Sequence, residues 1–299
     1  MSIALTPRVE TTATAARPEV LSTAERVLLA AVGVLLVLLY TPTVVWLFDR
    51  WTMSVWHNAH GLLIPPAVAW FAWQELRPLR SRPRQSSPWG AVFLLPALAM
   101  HVLDTGMHTQ ILSAASIVLA VPGLSLLFLG VERTKAIAFP LALLAFMLPV
   151  PLALTERIHL LLREMATVAT GHIMPALGIS VYYEGTSVYL REGHLFVGDG
   201  CSGFSTLYAS CAVAAMVAHA CDTWRGRLLV LVSAVPLAIA ANIVRIVLLV
   251  AVVRFMGMPA LDTWIHPASG MLTFAIALPA ILWLGGPGQS RTRTAETTS

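Results

Sequence analysis

Hydrophobic and polar positions follow two different rhythms along this chain. Long apolar runs separated by short polar connections fill most of it, and one stretch near residues 155–200 breaks that rhythm. The runs predict spanning helices at 26–48, 57–73, 89–103, 111–130, 136–154, 201–220, 228–253 and 266–284, each near the ~20 residues that a bilayer core requires. About eight spans result. The exceptional stretch divides in two. Over 155–177, Arg157, His159, Arg163 and Glu164 interrupt Leu, Ile and Met, as in an amphipathic helix. Over 181–197, β-branched and aromatic residues alternate with polar ones around Glu184-Gly185 and again around Gly193, which predicts a small hairpin or meander. That hairpin leads directly into Cys201. Pro65, Pro66, Pro149, Pro151 and Pro236 fall in or beside spans, where neighbouring helices satisfy the freed carbonyls, so kinks are expected there.

Composition turns this pattern into a class. Of 299 residues, 57% are hydrophobic and 11% charged, and mean hydropathy is +0.77, so the chain reads as an all-α polytopic membrane protein with an extracytoplasmic amphipathic helix and β-hairpin insertion. The net charge of +4 raises nucleic acid as a partner. The basic residues nevertheless sit between the apolar runs rather than along one face, so nucleic-acid binding is not expected.

Their distribution sets an orientation instead. Arg77, Arg80, Arg82 and Arg84 crowd one connection, Arg133 and Lys135 the next but one, Arg225 and Arg227 a third, and Arg291 with Arg293 the tail. With eight spans, all these groups share a side with Arg8, Arg17 and Arg26, and the positive-inside rule makes that side cytoplasmic. Arg50, Arg157, Arg163, Arg191 and Arg254 then lie outside, as does the insertion at 155–200. The expected organisation is a disordered cytoplasmic tail over 1–25, one transmembrane domain over 26–285 whose first span is a retained anchor, and a disordered cytoplasmic tail over 286–299.

Against this background a few residues carry chemistry. Cys201 lies in Gly198-Asp-Gly-Cys-Ser-Gly203, a small-residue turn at the mouth of an apolar run. A thiol at a helix N-terminus faces unpaired backbone N–H groups that favour the thiolate, which makes Cys201 a candidate nucleophile. Cys211 and Cys221 follow at ten-residue intervals, about 15 Å apart on one helix, too far for a disulfide. Arg245 interrupts an apolar run, where a charge costs at least ~2.5–3.5 kcal/mol unless it faces a polar cavity. Counted from Arg227, it rises roughly 27 Å, to the outer level of Cys201. His266 opens the last span at the same level. A snorkelling arginine and a structural turn histidine are the alternatives for these two.

Together the three form a chemically coherent set: a thiolate to attack a carbonyl, an imidazole to move the proton, a guanidinium to stabilise the negative charge. Asn242, three residues before Arg245, shares its helix face and is positioned to bond the guanidinium or a substrate carbonyl. His60 maps to the outer end of its helix and either lines the same cavity or anchors at the interface. His101, Asp104 and His108 match no strong ligand spacing and read as a solvated outer loop, so neither metal nor cofactor is expected.

The motifs resemble those of the exosortase/archaeosortase family of membrane cysteine transpeptidases, in order along most of the membrane region. They are His60-Gly-Leu-Leu-Ile-Pro-Pro66, Phe139-Pro-Leu-Ala with Met147-Leu-Pro-Val-Pro151, Gly178-Ile-Ser-Val181 with Glu184-Gly185, Cys201-Ser-Gly203, Pro236-Leu-Ala with Asn242-Ile-Val-Arg245, and His266 with Gly270. The resemblance implies that Cys201, Arg245 and His266 are the catalytic set, and that Asn242, Ser202, Gly203, His60 and Glu184 support it or contact substrate. Two departures stand out: Gly200 rather than the commoner Ala precedes the cysteine, and no appended domain follows the last span. By the same resemblance, the setting is a bacterial cytoplasmic membrane, with the active site on its extracytoplasmic face. The partners are exported proteins with a C-terminal tail of a short Pro-Glu-Pro-type motif, a transmembrane helix and a basic cluster, together with an acceptor nucleophile of unknown identity. Two alternatives remain open at this point: a transporter with an anion site at Arg245, and a purely hydrolytic membrane protease.

Overall fold

The computed structural model describes residues 23–52, 59–82 and 85–285. The readings for most of the N-terminal tail (1–22), for the C-terminal tail (286–299), for the first residues of the second expected span (57–58) and for Arg84 lie outside the described residues. Among those described, the order begins with α1 (Thr23–Thr52), then a 3-10 turn (Ala59–Leu63) running into α2 (Ile64–Leu76). Next come α3 (Gly90–Met107), α4 (Ile111–Ala136), α5 (Ala138–Leu143) and α6 (Leu152–Ala176). After strands β1 (Tyr182–Glu184), β2 (Ser187–Leu190) and β3 (Gly193–Phe196), the chain closes with α7 (Phe204–Ala220), α8 (Trp224–Met256) and α9 (Ile265–Gly285).

This is an all-α polytopic membrane fold with one small sheet. Among the described residues six helices are long and apolar enough to span: Ala30–Thr52, Gly90–Met107, Ile111–Ala136, Asp199–Ala220, Trp224–Met256 and Ile265–Gly285. Two of the expected eight spans differ, and proline is the reason. Pro65 and Pro66 fit the first turn of a helix but not its interior, so the run at 57–73 folds as the 3-10 turn and the 13-residue α2. The run at 136–154 gives α5, a 3-10 turn over Leu144–Met147 and extended backbone through Pro149 and Pro151.

Both short segments still run between the two ends of the bundle. Gly61 packs on the Trp51 indole, whose Nε1 donates to the Met147 carbonyl at 2.9 Å. At the other end Glu75 Oε1 lies 3.6 Å from His219 Nε2, and the His219 ring stacks on Phe139 at 3.8 Å. Basic connections gather at that same end. Arg133 Nη2 donates to the Leu79 and Arg82 carbonyls at 3.0 and 2.7 Å, Arg82 pairs with Glu132, and Arg227 Nε donates to the Cys221 carbonyl at 2.9 Å. Alternation of eight segments predicts this grouping. The fourth run was expected to end at Gly130, and there the α4 backbone breaks, with φ +83° and no room for a β-carbon beside the Gln85 carbonyl.

The insertion forms as its pattern suggests. Alternation puts Val188 and Leu195 opposite each other on the buried face of an antiparallel meander and the row Tyr182, Tyr189, His194 on the other. The first turn uses Gly185 at φ +57°; the second falls at Arg191-Glu192, so Gly193 already pairs with Leu190. One outer cluster reads differently from expectation: His101 and Asp104 are buried in α3 rather than solvated, because the Asp104 carboxylate accepts from Thr109 Oγ1 and from the Ser113 amide at the start of α4.

Two features position the site. Helices α7, α8 and α9 pack through small residues, among them Ala214, Ala218, Ala234, Ala241 and Ala277, which lets backbones approach closely where lipid supplies no hydrophobic drive. Helix α8, 33 residues or about 50 Å, is longer than a ~30 Å hydrocarbon core. Its last turns join the second half of α6 and the sheet around Met174, Val188, Leu195, Ile246, Leu249 and Val250, with Arg254 and Glu192 paired at 2.9 Å at the tip. Cys201 belongs to this cluster.

Candidate active site

Three helices each deliver a polar group to the end opposite the basic connections. Before α7, a 3-10 turn spans Asp199–Cys201, closed by the Cys201 amide donating to the Gly198 carbonyl at 2.9 Å. Gly203 then takes the left-handed region at φ +79° and α7 begins. The first amide of α7, Phe204 N–H, donates to Ser202 Oγ at 3.3 Å, so Ser202 rather than the thiol meets the helix N-terminus. The sulfur finds a different partner.

Cys201 Sγ lies 3.6 Å from His266 Nε2, in the first turn of α9. Cys201 is 5% exposed and Arg245, from α8, is 7% exposed. Arg245 Nη1 donates to the Gly200 carbonyl at 3.1 Å, and its Nε donates to Ser269 Oγ at 2.9 Å. Ser269 Oγ in turn donates to the His266 carbonyl at 2.6 Å, so one hydroxyl ties the guanidinium to the turn that carries the imidazole. Two of the five guanidinium N–H groups are committed to these partners, leaving the others for charge that develops nearby.

The structure brings Cys201, Arg245 and His266 together, and Asn242 with them. Asn242 does not bond the guanidinium: its Nδ2 donates to the Cys201 and Ser202 carbonyls, both at 3.1 Å, while Oδ1 is buried without a partner among the described residues. Gly203 packs flat against this amide. A β-carbon there would meet Asn242 Cβ at 2.8 Å and would add strain at positive φ, so Gly203→Ala is expected to lower thermal stability in detergent by about 1–3 kcal/mol, read from the unfolding midpoint.

Other candidates lie differently. The His60 ring sits 5.0 Å from Tyr208, in an aromatic row with Phe146, Phe204 and His159, and makes no hydrogen bond to Cys201, Arg245 or His266. Glu184 is exposed at the end of β1 across from Ser187 and bonds to none of the three. Three contributors were not singled out from sequence. One is Ser269, three residues after His266. The others are His159, whose Nδ1 is 2.9 Å from Ser202 Oγ, and Arg163, whose Nη1 is 3.2 Å from Asp199 Oδ1. The only signal was spacing: 159 and 163 share a face of α6. Among the described residues no three His, Cys, Asp or Glu side chains converge as metal ligands.

Fold and site define a multi-pass membrane protein with a thiol–imidazole pair beside a buried guanidinium. The family model described as transmembrane exosortase matches residues 51–283, a stretch that includes Cys201, Arg245 and His266. The chain belongs to the transmembrane exosortase family, whose members are membrane cysteine peptidases and transpeptidases acting on exported proteins with C-terminal sorting signals. No curated protein and no solved structure matches the chain.

Proposed function

We propose that this protein is a membrane cysteine transpeptidase that removes the C-terminal sorting tail of exported proteins and passes them to an acceptor nucleophile. The observation that carries the reading is the 3.6 Å approach of Cys201 Sγ to His266 Nε2 beside the guanidinium anchored at Gly200. The sulfur attacks the scissile carbonyl, an S–C bond forms, and the oxyanion is stabilised by the Arg245 charge. His266 takes the thiol proton and gives it to the departing amine as the C–N bond breaks. An acceptor amine then loses its proton to His266 and displaces the thiolate, which completes the transfer.

The family's tail, with its Pro-Glu-Pro-type motif, membrane helix and basic cluster, suits a site at the rim of a helical bundle. A tail helix docked against α7–α9 holds its outer peptide bond beside the sulfur and makes the attack effectively intramolecular. Residues 26–285 act as one enzymatic unit in this scheme. Both termini and the basic connections face the cytoplasm, by the positive-inside rule, and the thiol faces the extracytoplasmic side of a bacterial inner membrane. The fixed attachment of Arg245 to Gly200 and Ser269 favours this reading over an anion-transport site.

Water in place of the acceptor gives hydrolysis by the same residues, and mass measurement separates the two. A tagged exported substrate is expected to acquire a new C-terminus that carries the acceptor, after passing through a hydroxylamine-labile adduct on Cys201. A bare carboxylate alone would establish hydrolysis. Processing with no thioester adduct under rapid quench would overturn the covalent scheme.

A further inference from the structure

The turn that carries Cys201 is gripped from two sides. Helix α8 holds its backbone: Arg245 takes the Gly200 carbonyl, and Asn242 takes those of Cys201 and Ser202. Helix α6 holds its side chains. Arg163 pairs with Asp199 at 3.2 Å, two residues before the thiol, and His159 Nδ1 bonds Ser202 Oγ at 2.9 Å, one residue after it. The two α6 residues are one helical turn apart, so both grips come from one face. On the same helix Leu162 and Ala166 line a small gap together with Ser202, Gly203 and Asn242.

Ser202 is buried, its oxygen accepts from the Phe204 amide, and a hydrogen bond joins its hydroxyl to His159 Nδ1. The His159 ring is held in place against Phe204 at 4.6 Å.

Building on the transpeptidase reading, we infer that His159 and Arg163 are positioning residues that fix the orientation of the Cys201 thiol toward His266. Bonds from α8 to three successive carbonyls hold the turn from one side. Side-chain grips from α6 on both flanks of Cys201 hold it from a second. Reaction at sulfur demands this precision, since a misplacement of about 1 Å costs on the order of 100-fold in rate. Asp199 is mostly exposed, so its pair with Arg163 is screened and contributes less than the buried Ser202–His159 bond.

The experiment uses the full chain in detergent with Cys211→Ala and Cys221→Ala, which leaves Cys201 as the sole thiol. Two quantities are measured: kcat and KM on a tagged sorting-tail substrate, and the rate of Cys201 alkylation by iodoacetamide as a function of pH. His159→Ala is expected to lower kcat by about 10- to 100-fold with KM nearly unchanged, and to displace the alkylation profile. His159→Asn, which keeps a hydrogen-bonding group near Nδ1, is expected to restore most of both. Arg163→Ala is expected to show a smaller effect of the same kind. His159→Ala added to Ser202→Ala is expected to cost nothing further. An unchanged kcat and alkylation profile in His159→Ala overturns the inference. So does an Asn variant no better than Ala, because the histidine then serves only the fold. If the unsubstituted chain processes no sorting tail, the transpeptidase reading fails, while the alkylation profiles still decide the positioning role.

Discussion

Cys201→Ala is expected to reduce processing of a tagged exported substrate by at least about 10⁴-fold while the protein still accumulates in membranes. The size of the effect follows from the role: no other thiol comes near His266, and loss of a nucleophile leaves only the help of binding and charge stabilisation. The fold tolerates the change because one buried sulfur is removed from a small side chain, a cost of about 1 kcal/mol. Cys201→Ser is expected to fail as well. A hydroxyl is a far weaker nucleophile at neutral pH, and its shorter bond to Cβ leaves the oxygen farther from the imidazole than sulfur is. The check is a time course of substrate size in isolated membranes. Continued conversion in either variant would remove Cys201 from the mechanism.

Arg245→Lys is expected to lower turnover by about 100-fold or more, the order of effect seen when a preorganised donor to an oxyanion is lost. The geometry explains why charge alone does not suffice. Arg245 holds Ser269 through Nε and Gly200 through Nη1 from one planar group, with three further N–H groups left over. A lysine ammonium is a point charge on a flexible stem and cannot reach both anchors at once. Arg245→Leu serves as the companion variant. It removes a buried charge and fills similar volume, so it is expected to fold, yet it leaves the Gly200 carbonyl and Ser269 without their donor. Unfolding midpoints and processing rates measured together separate the effects. A lysine variant with full activity would reduce Arg245 to a packing role.

Much of this arrangement was legible in the sequence, for reasons that are physical. An amphipathic run at 155–177 and alternation at 181–197 are one-dimensional images of a helix face and a pleat, and α6 and the meander formed where those images lay. Arg245 was conspicuous because a charge among apolar residues needs a reason to be there. Counting residues along α8 set it level with Cys201, and the contact network bears that out. Two of the expected eight spans fold as shorter, broken segments because hydropathy counts apolar residues and ignores what Pro65, Pro66, Pro149 and Pro151 do to a helix. His159, Arg163 and Ser269 were given no part in the site because their roles depend on which partner a folded neighbour presents, and spacing alone does not encode that. Glu184 was carried by its motif, and nothing in the strand's own pattern links it to the thiol.

The length of α8 has a further consequence for what this protein can accept. Nine residues separate Arg245 from Arg254, so the helix, with α6 and the meander alongside, stands about 14 Å above the level of the guanidinium. On the proposed transpeptidase reading, a folded cargo that approaches along α8 meets that tower first, and a leash of about four extended residues, at roughly 3.3 Å each, spans its height down to the bond to be cut.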